Sequence, residues 1–151
     1  MIILLFHPKR NPHSLIDSTT KLATIRLHMT TMRWTYLVAA ITLFVLMLTL
    51  GSYPGNAQAL TEKINDKILH FLAYSLLTAL IYLSLNSPKR EKFIITICIM
   101  LALGLTDEYI QSMLSFRNAS LLDLSVDLLA AGLMTSCLSL LTHTTDIERS
   151  S

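Results

Sequence analysis

Three groups of polar side chains interrupt a chain that is otherwise strongly apolar. Asp66, Lys67, His70 and Tyr74 form the first; Asp107, Glu108 and Gln111 the second; Arg117, Ser120, Asp123 and Asp127 the third. Two carboxylates in unlike environments can divide acid and base roles, with an imidazole as acid or as the group that orients them. The same carboxylates, with an imidazole, an amide and a guanidinium, also supply the donors and acceptors that hold a polar head group beside an apolar wall. No nucleophile stands out, because Cys98 and Cys137 both lie in apolar runs away from the three groups. One histidine without a tight ligand motif predicts no metal site and no cofactor.

Helical spacing decides which of these residues can meet. Asp66, His70 and Tyr74 stand at i, i+4 and i+8, with Lys67 seven residues before Tyr74, so the four share one broad face. Asp107 and Gln111 are four apart, Glu108 and Gln111 three, and Ser120, Asp123 and Asp127 follow at steps of three and four. Asp107 and Glu108 are neighbours and point about 100° apart. They stand in the C-terminal half of a helix, where the helix dipole disfavours anions, so they need partners. Asp66 and Asp123 also suit a plainer role, as acidic residues near helix N-termini.

The elements that must position these groups are four apolar runs: Trp34 to Leu50, Ile68 to Leu85, Phe93 to Thr106, and a run from Leu121 that is uncharged between Leu128 and Leu141. Each extends to about 17–22 residues, enough to cross ~30 Å of hydrocarbon at ~1.5 Å per residue. In lipid the backbone must satisfy its own hydrogen bonds, so the runs are helices. The chain has 151 residues, of which 52% are hydrophobic and 15% charged, with a mean hydropathy of +0.54. A soluble domain carries about 25% charged residues. The fold class predicted is all-α, an integral membrane bundle of four transmembrane helices.

The connectors agree. Gly51, Pro54 and Gly55 break the chain after the first run, Asn86-Ser87-Pro88-Lys89-Arg90 makes a polar turn, and residues 115–120 join the last two runs, with Ser120 as a helix cap. Lys9, Arg10, Lys21, Arg26 and Arg33 precede the first helix, and Lys89, Arg90 and Lys92 lie between the second and third; the other side has Lys63, Lys67 and Arg117. That bias places both termini in the cytoplasm. Trp34 and Tyr36 then sit at the inner interface and Tyr53 at the outer one. All three polar groups fall at the outer face. Ala131, Thr135 and Ser139, with Gly132 and Ser136 beside them, read as a seam for helix packing.

Three segments follow: a basic N-terminal tail over residues 1–33, a four-helix membrane domain over 34–142, and a short polar C-terminal tail over 143–151. The first is expected to be either a disordered cytoplasmic tail or an over-extended start, with Met29 or Met32 as the natural beginning. The basic balance comes from that tail. With no interleaved aromatic residues, it does not predict nucleic acid as a partner.

Asp66-Lys67, His70-Phe71, Tyr74, Asp107-Glu108, Gln111, Arg117, Ser120, Asp123 and Asp127 together resemble the VanZ-like family of small bacterial membrane proteins, over about residues 34–142. Two departures stand out: Ser115-Phe116 where members often carry Pro-Gly, and Ala130 where a glycine is usual. The resemblance implies a multi-pass protein of the bacterial cytoplasmic (inner) membrane, in the cell envelope, linked to antibiotic resistance of the teicoplanin glycopeptide type. Its partners would be membrane lipids and a lipid-linked cell-wall precursor or lipoglycopeptide, with a homo-oligomer as a further assembly. The function expected is binding of an amphiphilic ligand at the outer-face site. The alternative is a membrane enzyme that modifies a lipid-linked envelope substrate through Asp107, Glu108 and His70. A transporter fits four helices without repeats or broken segments poorly.

Overall fold

The computed structural model describes residues 12–53, 65–117 and 119–148; the side chains of residues 12–20, 22, 66 and 142–148 are outside that description. The described residues form four helices and no strand: α1 (Pro12–Ser52), α2 (Asp66–Ser84), α3 (Lys89–Ser112) and α4 (Leu121–Glu148). Each contains a stretch long and apolar enough to cross a membrane: Ala23–Ser52, Lys67–Ser84, Lys89–Ser112 and Leu121–Leu141. The all-α bundle expected from the apolar runs is therefore present.

The chain divides into two compact units, Met1–Met32 and Arg33–Ser151. In the first, the helix begins at Pro12, a residue suited to the opening turn because its missing N–H is not needed there. The sequence suggests an unstructured tail here; the described part is helical instead. A helix already nucleated propagates at little cost through Lys21, Leu22, Ala23 and Arg26, all good helix formers. Thr30 and Thr31 each donate a hydroxyl to the Leu27 carbonyl at 2.8 Å, which satisfies both groups within the helix. At the other end of the chain, α4 runs on to Glu148, into the expected polar tail.

In the second unit α4 is the central helix. It packs extensively on both α2 and α3, which touch each other less. Small residues permit this. Ala130 and Ala131 are fully buried, and a Cβ added to Gly104 of α3 would lie 2.8 Å from Leu124 Cδ1 of α4. Tyr74, Leu77 and Ile81 of α2 and Met100 of α3 complete the core, with Ala40 of α1 and its neighbours Leu43, Phe44 and Met47 against it. Other α1 residues of this unit, among them Trp34, Val38, Ile41 and Val45, are exposed. A helix apolar all round with one side packed is what a membrane span requires.

Helix ends differ in detail from expectation. Gly51 lies inside α1, while Pro54 and Gly55 are outside the described residues. The turn between α2 and α3 covers residues 85–88, and Lys89 and Arg90 already belong to α3. Pro88 causes this, because its extended ψ of 151° sets it as the residue before the first helical turn. The small-residue seam holds at Ala131 and Thr135, which are buried, but not at Ser136, which is exposed, nor at Gly132, where nothing lies within 4 Å of an added Cβ. Cys98 and Cys137 are free and exposed.

Candidate functional site

α2 and α4 run in the same direction and α3 runs against them, so the start of α2, the end of α3 and the start of α4 share one end of the bundle. Each terminus there is built locally. Asn65 Oδ1 accepts from the Lys67 amide at 3.0 Å and caps α2. Ser120 Oγ accepts from the Asp123 amide at 3.3 Å and caps α4, as its position before an acidic first turn suggests.

Two chains of contacts then tie the three helices together. In the first, Lys67 Nζ of α2 donates to Asp123 Oδ1 of α4 at 3.0 Å, and Glu108 Oε2 of α3 accepts the backbone N–H of Ser120, the residue that caps α4. In the second, His70 Nδ1 of α2 lies 3.0 Å from Asp127 Oδ1 of α4. The His70 ring stacks on Tyr74 with centroids 6.0 Å apart, and the Tyr74 hydroxyl donates to Asp107 Oδ2 of α3 at 3.3 Å. Asp107 and Glu108 thus end separate chains, which accounts for their divergent directions.

The second chain is the drier. Asp127 is 1% exposed, and its other oxygen, Oδ2, has no hydrogen-bond partner among the described residues. Glu108 Oε1 is likewise buried without a hydrogen-bond partner among the described residues. Next to these groups is a cavity of about 130 Å³. His70, Asp107, Gln111 and Arg117 give it a polar wall, and Met47, Leu50 and Leu69 an apolar one. Gln111 is 6% exposed, and no hydrogen bond is formed by its side-chain amide among the described residues.

Of the eleven residues singled out in the sequence, ten have described side chains, and all ten lie at this end. Asp66 opens α2, but its side chain is outside the described residues. The acidic and histidine side chains do not gather as a metal-binding group among the described residues. Sequence reasoning missed Asn65, although an Asn just before an apolar run is a capping signal. It also missed Gly104. A glycine in a helix interior costs about 1 kcal/mol against alanine, and so marks a close approach. Thr96 and Thr135, two buried hydroxyls without hydrogen-bond partners among the described residues, left no signal in an apolar run.

No family model matches the chain, and no solved structure matches it. It is similar to the uncharacterized protein C11E3.10 of Schizosaccharomyces pombe, with 33% identity over 108 residues. The match covers 71% of this chain and 66% of that protein, so the chain spans just under two thirds of its relative's length. These findings correct the expected identity. A relative in a eukaryote and the absence of a matching family model remove the VanZ-like assignment, the bacterial inner membrane and the link to antibiotic resistance. The physical reason is plain: any bundle that brings charges into lipid must pair them near its helix ends, so short acidic and basic pieces at those ends do not define a family.

Proposed function

We propose that this chain is a membrane protein that holds the polar head of an amphiphilic lipid in the cavity bounded by His70, Asp107, Gln111 and Arg117. One observation carries the reading. Gln111 lines that cavity, is 6% exposed as a residue, and forms no side-chain hydrogen bond among the described residues. An amide on a cavity wall with no protein partner is open to a ligand that supplies donors and acceptors. The wall composition supports an amphiphile, since Met47 and Leu50 face the polar groups across the same space. Arg117 suits an anionic phosphate or carboxylate, and Asp107 suits hydroxyl or ammonium donors. Lys89, Arg90 and Lys92 lie at the opposite end of the bundle, which favours a head-group site on the non-cytoplasmic face.

The test is the lipid that stays with the protein. The full chain is purified in mild detergent, and its bound lipid is compared with the bulk membrane by mass spectrometry. Enrichment of one lipid class, lost in Gln111→Ala, is the expected result. Bound lipid that mirrors the bulk membrane, or enrichment that survives Gln111→Ala, overturns the proposal.

A second reading, an enzyme acting on a lipid-linked substrate, draws support from the buried pairing of His70 with Asp127. With His70 Nδ1 donating to Asp127 Oδ1, the carboxyl group orients the imidazole, as the partner of a general base does. A lipid species present in cells with the wild-type protein and absent with His70→Ala would favour catalysis. Identical lipid profiles would exclude it.

A further inference from the structure

A second cavity of about 210 Å³ is formed by the same three helices that bound the polar one. α1 contributes Ala40 and Phe44, α2 Leu77 and Ile81, and α3 Ile99 and Leu103. Each helix carries both cavities on one face. Phe44 stands three residues before Met47, Leu77 four after Ala73, and Leu103 four before Asp107, and residues at such steps are stacked along a helix. The two spaces therefore follow one seam between α1 and the α2–α3 pair. The wall of the second is apolar apart from Ser84, whose hydroxyl is taken up by the Ile81 carbonyl at 2.7 Å.

We infer that this seam holds a hydrocarbon chain of the same lipid whose head occupies the polar cavity. The inference rests on the head-group reading above and adds to it a chain site within the protein. Depth supports it. The lining runs along α1 from Leu50 beside the head to Leu37 at the far end, a rise of ~20 Å at ~1.5 Å per residue. Half of a ~30 Å hydrocarbon layer is ~15 Å, so a chain hanging from a head at the interface follows the seam through one leaflet. Ala40 and Ile81 are 3% and 5% exposed, so lipid bathing the outside of the bundle barely reaches them. A chain in contact with them is inside the seam.

Photo-labelling separates the two locations. The full chain is reconstituted in phosphatidylcholine vesicles containing a phosphatidylethanolamine with a diazirine at the end of one acyl chain, irradiated, and mapped by peptide mass spectrometry. Adducts are expected on Ile81 and Leu103 as well as on the outward-facing Leu76 and Leu101. Ala40→Phe fills the seam and lowers the Ile81 adduct about tenfold, with Leu76 unchanged as proof of correct insertion. Adducts confined to outward-facing residues in the wild type overturn the chain site. If lipid retention still depends on Gln111 in that case, the head-group reading stands alone; if it does not, both fall.

Discussion

His70 Nδ1 lies 3.0 Å from Asp127 Oδ1, and both side chains are almost wholly enclosed by α2, α3 and α4. Lys67 and Asp123, three and four residues earlier on the same two helices, pair at the same distance but nearer the surface. The two pairs fix the register of α2 against α4, and with it the position of every other polar group at this end. The register carries four consequences for variants.

The buried pair is the stronger of the two. Hydrogen bonds between helices in membranes average ~0.6 kcal/mol with an upper range of ~1.7 kcal/mol, and burial puts this pair near the upper value. A double-mutant cycle of His70→Ala and Asp127→Ala, read by unfolding in mixed micelles, is expected to give a coupling of about 1.5 kcal/mol. Additive effects would show that the two side chains do not act together.

Lys67 keeps 43% of its side-chain surface exposed, so its pair with Asp123 is screened. Exposed ion pairs contribute ~0.2–1 kcal/mol. Lys67→Met should lower stability by less than ~0.5 kcal/mol, and the difference should shrink further in 1 M salt.

Glu108 reaches from α3 to the Ser120 amide at the start of α4. Glutamine keeps an acceptor oxygen in that place and alanine does not. Glu108→Ala should cost about 1 kcal/mol and Glu108→Gln clearly less, in the same unfolding assay. Equal losses would mean that charge, rather than the acceptor, matters at this position.

Gly104 lets α3 approach α4. An added methyl crowds only the tip of Leu124, which can turn aside, and rests in ordinary contact with Asp127 Oδ2 and Tyr74, against which a longer side chain would press. Gly104→Ala should therefore cost no more than about 1 kcal/mol and Gly104→Leu about 3 kcal/mol. A harmless Gly104→Leu would contradict the helix spacing described.

The fold was legible because lipid leaves few choices: four apolar runs that extend to spanning length can only be helices, and alternating directions bring Lys67, Asp107 and Asp123 to one end. The members of the polar group were legible for the same reason, since a charge near lipid needs a partner. The pairing was not. Spacing shows that His70 and Tyr74 share a face, but not that His70 takes Asp127 while Tyr74 takes Asp107, because that choice depends on the rotation of each helix against its neighbours. Those rotations are set by Gly104, Ala130 and Ala131, side chains too small to register in an apolar run. The source of the chain was misread through the polar residues themselves, whose types follow from physics common to many membrane bundles.

The claim beneath the whole account is that the start of α2 and the link between α3 and α4 lie at one membrane face, with the link between α2 and α3 at the other. Single cysteines at Asn65→Cys, Ser115→Cys and Asn86→Cys, placed in a Cys98→Ala, Cys137→Ala background and probed with a membrane-impermeant maleimide in sealed vesicles, measure this directly. The account predicts that positions 65 and 115 react from the same side and position 86 only from the opposite side. Reaction of 65 and 115 from opposite sides, or of 86 together with both, would contradict it.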